Sequence, residues 1–591
     1  MLKFPFSTLR SGQETIINAV IKSAETHSKL MINAPTGIGK TAPVLFGALK
    51  ALEGSDGKLV FLTAKHTHQK IVYETLKKMQ DGGDWPRFAG INGKRSMCLF
   101  DNSVDAQNFN EFCRVVREDG QCSFFNNTFT PSRDLKSRSV LALQVPLSDP
   151  ESVMDSARTY HVCPYEISLL HAKRSKVVVA NYSHVFDPDI SPNFLSKTGI
   201  DPRNSVLIID EAHNLSAKLI DIFSRSISYR TLERAYRETS SSGFSALAHK
   251  IDKITSIMRS CSMEERVDIY NLFSDSDVEE LDSLTDMIET STSIPASYTL
   301  SKFVSTLLRS EKGSSITFVS KEKDIQKITI SALDPSIYAR ETFDSFSSAV
   351  LMSGTLKPME MFANILGIPD SERLSVESDF VDSNRSIITE TDVTSKFTSR
   401  NLQSALIAER LDDITSEFKM NAIFFFPSYA FMDSVFSLMR NTGRIIKERQ
   451  QMGREDKLGV LSVMHQQEKI LFAVVGGNFS ESIGIKDNKV KIIGIVGVPF
   501  EPPSVKLKAL QEYYERKFGE GFEYAQVLPA MIKTMQAAGR GIRSEKDRAV
   551  VLLMDSRFAS QTFRKYLPDR VDEINGSPTA LMDELFAKNL S

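Results

Sequence analysis

Apolar residues fall along this chain in two periods, and the alternation between them sets the first expectation of fold. Segments at 29–33, 58–63, 177–180, 205–209 and 350–352, each built on an unbroken apolar run of three or four residues, read as short strands buried on both faces, as in a parallel sheet covered by helices. Segments of helical spacing at 14–23 and 40–52 stand between them. A second alternation of strands and helices begins near residue 376, with strands at 422–426, 470–475, 491–496 and 549–554. Two stretches break the pattern. Over 83–165 the alternation fails, and over 215–345 segments of helical spacing at 215–223, 229–237, 244–258, 278–287 and 301–308 follow one another through Ser-rich linkers. The class predicted is α/β: two parallel-sheet domains, the first interrupted by a loop-rich segment and by a helical insert.

The strand at 29–33 runs into Ala34, Pro35, Thr36, Gly37, Ile38, Gly39, Lys40 and Thr41, which open the helix at 40–52. Small residues let the backbone curl so that successive N–H groups face phosphate oxygens, and the helix adds the positive end of its dipole. Lys40 would reach the β and γ phosphates of ATP, and the Thr41 hydroxyl would ligate Mg²⁺. The one departure from the usual pattern is Ala34 where the first Gly is expected. A partner motif lies at 205–213, where an apolar run ends in Asp210 and Glu211. Asp210 would hold Mg²⁺ through its water shell, and Glu211 would orient and deprotonate the attacking water.

Other positions extend this reading. Gln13 is a candidate adenine reader, because its amide both donates and accepts. Residues 64–69, rich in hydroxyl and cationic donors, could grip a nucleic-acid backbone. Ser353, Gly354 and Thr355 follow the closing strand of the first domain, where a hydroxyl-bearing turn could sense the γ-phosphate. The second domain has no phosphate loop but carries Gln536, Arg540 and Arg543, and arginines one helical turn apart can reach across a cleft to the γ-phosphate.

Composition sets outer limits. A chain of 591 residues is too long for one core and predicts about four domains. No apolar run approaches the roughly 18 residues needed to cross a bilayer, and no signal peptide is evident, so a cytoplasmic location and no membrane partner are expected. The net charge of −2 requires any basic surface to be local. Of five cysteines, Cys98, Cys113, Cys122 and Cys163 fall in the loop-rich segment, while Cys261 reads as a helix-core thiol. Their spacing lacks the paired C-x2-C knuckles typical of zinc, and leaves an iron–sulfur cluster, zinc and four unrelated thiols all open.

With these residues in view, the chain resembles the XPD and DinG branch of superfamily 2 DNA helicases, and looks most like a compact archaeal XPD. The likeness runs nearly the full length. It is carried by 34–41, by Asp210 to His213, by Ser353 to Thr355, by Phe425 to Tyr429, by Ser480 and Glu481, and by the string 536–558. The family's Ser-Glu-Gly-Ile-Asp motif departs here, with Ser482 for the Gly and Gly484 for the Asp, and Asp487 is not assigned the missing carboxylate's role. The resemblance implies two RecA-like motor domains, with an iron–sulfur domain and a helical arch inserted in the first. The expected limits are 1–82, 166–214 and 346–375 for motor domain 1, 83–165 for the iron–sulfur domain, 215–345 for the arch and 376–591 for motor domain 2. It implies a [4Fe–4S] cluster on Cys98, Cys113, Cys122 and Cys163, and ATP-driven 5′→3′ movement on single-stranded DNA that opens forked duplex. A monomer acting in nucleotide excision repair beside repair factors is expected. Rival readings are a DinG-like enzyme acting on R-loops, and a redox-sensing protein that binds ATP without hydrolysing it. Glu211, Arg540 and Arg543 argue against the last, since a structural nucleotide site needs neither an attacking water nor arginine fingers.

Overall fold

The computed structural model describes residues 2–35, 37–80, 86–100, 109–144, 149–288, 294–322, 324–377, 384–480, 490–541 and 547–590. Its strands in chain order are β1 (Lys29–Asn33), β2 (Leu59–Thr63), β3 (Phe88–Gly90), β4 (Val177–Asn181), β5 (Val206–Asp210), β6 (Arg225–Ser228), β7 (Glu265–Val267), β8 (Ser315–Glu322) and β9 (Ile325–Ala332). They continue with β10 (Ser348–Ser353), β11 (Glu372–Ser375), β12 (Arg385–Glu390), β13 (Asn421–Phe426), β14 (Ile445–Lys447), β15 (Ile470–Val474), β16 (Val490–Ile495), β17 (Ala549–Leu553) and β18 (Asp572–Ile574). Two seven-stranded sheets are parallel throughout, in the orders β11-β1-β10-β5-β2-β4-β3 and β14-β15-β13-β16-β17-β12-β18.

The unbroken apolar runs follow from burial on both faces. In the first sheet Leu30, Ile32, Phe61, Val179, Ile208 and Val350 pack beneath the helices Gln13–Glu25, Thr41–Ala51 and His66–Met79. Their neighbours Met31, Val60, Leu62, Val178, Leu207 and Leu351 point the other way, into a core closed by Pro164–Lys173, Leu215–Ile222 and Met359–Leu366. That core continues into the second sheet through Ile423, Phe425, Ile493 and Val551, so an apolar seam joins the two sheets. The far face of the second sheet, with Phe424, Phe426 and Phe472, is covered by Arg400–Glu417, Tyr429–Leu438 and Thr579–Leu590. Among the described residues no helix is long and apolar enough to cross a membrane.

Residues 215–345 carry the expected helices at Leu215–Ile222, Tyr229–Ser241, Ser245–Ser260, Asp275–Met287 and Ala296–Arg309. They also carry an antiparallel sheet, β6-β9-β8-β7, that the helical spacing did not reveal. The strands escape notice for physical reasons: β6 and β7 are short, and the free ends of β8 and β9 are polar and exposed, so neither offers a long apolar run. Residues 83–165 fold as short helices around a small core of Met97, Ala142, Val153, Ala157, Val162 and Ile167. The first of the described residues in this segment also supply β3 to the first sheet. Cys261 is buried just after Ser245–Ser260.

The insert leans on the second motor sheet's helix Val505–Phe518. Ile316, Phe318 and Leu333 pack on Ala509, Val505, Leu510 and Tyr513. Beside this patch the buried Asp334 carboxylate accepts from the Tyr513 hydroxyl at 2.5 Å and the Lys517 ammonium at 2.7 Å, and caps Pro335–Ser345 through the Ser336 N–H. Burial opposes ionisation of Asp334, but these donors outweigh it and hold the carboxyl below its ordinary value. Asp334→Ala is expected to cost about 1–2 kcal/mol, because the helix Pro335–Ser345 loses its cap and the half-buried Tyr513 hydroxyl loses its acceptor. Because the folded pKa is depressed, this contribution is complete above the ordinary carboxylate value of about 3.9 and is lost as pH falls through the lower folded value. Denaturant unfolding of the two chains at pH 7 and pH 3 measures both effects, and the gap between them should narrow at pH 3.

Candidate nucleotide-binding and catalytic site

The carboxyl ends of β1, β5 and β10 lie side by side in the first sheet and deliver three motifs to one place. The loop after β1 turns through positive φ at Gly37 (99°) and Gly39 (77°), a conformation that a side chain would strain. Gln13 and Arg10 brace it from below. The Gln13 amide donates to the Ile38 carbonyl at 2.8 Å and accepts from the Arg10 N–H, while the Arg10 guanidinium donates to the Gly37 carbonyl at 2.7 Å. The amide suggested as an adenine reader is thus engaged with the phosphate loop itself. Thr36 lies outside the described residues.

Lys40, at the head of Thr41–Ala51, sets its ammonium 3.8 Å from a Glu211 carboxylate oxygen. Asp210 ends β5, and Glu211 follows it at φ 51°, in the left-handed region. Burial, with Glu211 alongside, pushes the Asp210 carboxyl above the usual range, against the pull of Lys40. Burial acts on Glu211 in the same sense, yet Lys40, His213, His68 and the Ser353 hydroxyl together hold it below its ordinary value. The pair therefore divides its roles. Glu211 is the ionised member of the pair, and Asp210 is the one whose charge burial opposes.

His213 connects this pair to the other domain. Burial lowers its pKa to about 4, so the ring is neutral at physiological pH. Gln536, on the helix Leu528–Ala538, has only an amide N–H to offer at 2.5 Å from His213 Nε2, which makes Nε2 the acceptor and leaves the ring proton on Nδ1. Nδ1 faces the Ser353 hydroxyl at 2.6 Å, and that hydroxyl in turn donates to Glu211 at 3.1 Å. A continuous chain thus runs from Gln536 through His213 and Ser353 to Glu211. In the turn offered as a γ-phosphate sensor, the Ser353 hydroxyl donates to Glu211 and the Thr355 hydroxyl lies 3.2 Å from His213 Nδ1.

The cleft between the sheets holds about 710 Å³ and is lined from one side by Lys65, His68, Glu211 and His213 and from the other by Gln536 and Arg540. Arg540 donates to the Ser480 carbonyl. Arg543, Glu481, Ser482, Gly484 and Asp487 lie outside the described residues. Lys65 and His68, from the segment offered as a nucleic-acid grip, are on the cleft wall. Burial and nearby Arg540 lower the Lys65 pKa. The sequence reading missed Tyr182, whose hydroxyl reaches the Asp210 and Glu211 carbonyls. Its only signal there was a polar-capable aromatic directly after a buried strand.

A second, smaller cavity of about 30 Å³ has Cys98, Cys113, Cys122 and Cys163 all in its wall, closed in by Phe100, Phe124, Phe125 and Tyr165. Burial raises the Cys98 thiol to about 11 and Cys163 to about 12, and repulsion among the thiols adds to it. Arg117 and Lys94 also line the cavity, the guanidinium stacked 3.8 Å from the centre of the Phe125 ring. Among the described residues no group of three His, Cys, Asp or Glu side chains is fitted to hold a single metal ion.

Two parallel-sheet domains, one bearing a phosphate loop with an acidic pair and the other closing the cleft with Gln536 and Arg540, have the build of a superfamily 2 helicase. Family comparisons agree: residues 63–232 match the DEAD_2 family and residues 411–574 match the Helicase C-terminal domain. The ATP-dependent DNA helicase XPD of Sulfolobus acidocaldarius is 28% identical over 95% of this chain and 98% of its own. The ATP-dependent DNA helicase CHL1 of Eremothecium gossypii is 23% identical over 84% of this chain and 70% of its own. A solved XPD helicase structure superposes with a TM-score of 0.69 at 25% identity, covering 97% of this chain and 100% of that one. Over nearly its whole length the chain is thus similar to the XPD group of superfamily 2 DNA helicases.

Proposed function

We propose that the protein is an ATP-dependent DNA helicase that moves 5′→3′ on single-stranded DNA and parts forked duplex, acting in the cytoplasm as a monomer in nucleotide excision repair. The observation that carries the reading is the hydrogen-bond chain from Gln536 to Glu211, because it ties the hydrolytic carboxylate of one domain to a residue of the other. In this reading Ala34 to Gly39 cradle the phosphates of ATP with Lys40, and Gln13 holds that loop in shape. Thr41 and Asp210 bring hard oxygen donors to Mg²⁺, which supplies charge neutralisation of the transferred phosphoryl group. Glu211 takes the proton of the attacking water, and Arg540 and Arg543 meet the γ-phosphate as the cleft closes. Motor domain 1 is assigned 1–82, 166–214 and 346–375, to which β3 at Phe88–Gly90 adds an edge strand, and motor domain 2 is assigned 376–591.

Residues 83–165 would form the iron–sulfur domain and 215–345 the arch, together enclosing the strand. The four thiols line one cavity, and four thiolates from a loop-rich segment would suit a [4Fe–4S] cluster, in which each binds its own iron. When bound, the cluster supplies the cross-link that a segment with so small a core needs.

The test is ATPase activity with and without single-stranded DNA, followed by unwinding of 5′-tailed duplex, 3′-tailed duplex and an RNA–DNA hybrid. Strand-stimulated hydrolysis and opening of the 5′-tailed duplex are expected. ATP binding without turnover would support the redox-sensor reading, opening of only the 3′-tailed substrate would reverse the polarity, and strong preference for the hybrid would favour R-loops as substrate.

A further inference from the structure

The acidic pair is held in place by a residue from a strand that does not touch it. β4 and β5 are separated in the sheet by β2, yet Tyr182, the first residue after β4, extends over the end of β2. Its hydroxyl is 2.5 Å from the Asp210 carbonyl oxygen and 3.0 Å from that of Glu211. The ring is 2% exposed, packed in the core beneath the sheet. A phenol buried this completely needs an acceptor, and here it finds two main-chain carbonyls of the catalytic turn.

That turn is unusual. Glu211 is one of the few non-glycine residues with positive φ, at 51°, a conformation that costs about 1–3 kcal/mol and persists only where surrounding contacts enforce it. Side-chain aim depends on it, because this backbone sends the Glu211 carboxylate towards Lys40 at 3.8 Å, Ser353 at 3.1 Å and His213 at 3.3 Å. The Asp210 carboxylate takes part by accepting from the Glu211 N–H at 3.0 Å, and the Asn214 N–H closes the turn on the Glu211 carbonyl.

We propose that Tyr182 is a positioning residue of the ATPase, its hydroxyl fixing the 210–211 main chain so that Glu211 meets the attacking water in the productive orientation. The inference rests on the reading of Glu211 as general base. Tyr182 touches no substrate and acts only through that carboxylate. Phe at this position keeps the ring and its packing but removes the donor, leaving the turn free to relax towards negative φ.

The experiment is ATP hydrolysis by the full chain and by Tyr182→Phe, with ATP affinity measured separately. Wild-type turnover tests the hydrolase reading itself, so failure of that reading appears in the wild type and failure of this one in the variant. Tyr182→Phe is expected to lower kcat by about 10–100-fold, the scale of a small misplacement of a catalytic group, with KM and Kd for ATP within about twofold. Combined with Glu211→Gln, it should add no further loss, because the group it positions is already disabled. A kcat within about twofold of wild type overturns the proposal. So does loss of ATP binding together with activity, or an equal further loss on the Glu211→Gln background.

Discussion

Glu211→Gln is expected to reduce ATP turnover by about 10²–10⁴-fold while the protein still binds ATP. The amide keeps the size of the carboxylate and can still accept from the Ser353 hydroxyl, but it cannot take a proton from water. Such a loss corresponds to about 3–5 kcal/mol of the activation barrier. Lys40→Ala should fail differently. The ammonium serves both ground state and transition state, so its loss weakens nucleotide binding as well as turnover. Comparing kcat with ATP affinity in the two variants separates the roles, and a Glu211→Gln enzyme turning over near the wild-type rate would remove Glu211 from the mechanism.

Ser in place of Cys113, Cys122 or Cys163 is expected to remove iron and the brown absorbance from anaerobically purified protein, and with them duplex unwinding. The segment bearing these thiols has two small cores, one of Met97, Ala142, Val153, Ala157, Val162 and Ile167 and the other of Val116, Cys122 and Phe125. Neither is large enough to hold so irregular a chain without a cross-link, so loss of a ligand should loosen it. The motor sheets have their own extensive cores, and ATPase and single-strand binding should survive at least in part. Cys261→Ser, in the separate core of the insert, should lose no metal. Metal analysis and a visible spectrum decide the case: about one zinc per chain without iron, or full unwinding by Cys122→Ser, would overturn the cluster.

Both predictions begin in short stretches of sequence, and such local features are what sequence alone determines here. The phosphate loop is legible because its curl depends on adjacent small residues, with Gly37 and Gly39 at the positions that take positive φ. The central strands are legible because burial on two faces demands an unbroken apolar run, as in β2, β5 and β13. Where the strand is short or its end is polar and exposed, as in β7 and β8, the pattern fades and the sheet of the insert went unseen. Gln13 could be assigned to the nucleotide site from its place in the chain, but which partner its amide takes depended on how closely the loop folds over it. Tertiary structure alone decided the rest. Gln536 and His213 are 323 residues apart and meet only because two separately folded sheets share a cleft. The four cysteines were grouped by the sequence into one segment, but the packing of short helices is what brings them to one cavity. Tyr182 gains its role by reaching across a strand whose place in the sheet no local periodicity encodes. Local backbone preference and burial act over a few residues and so leave a mark in sequence, whereas contacts between distant segments depend on the whole chain's path and leave none.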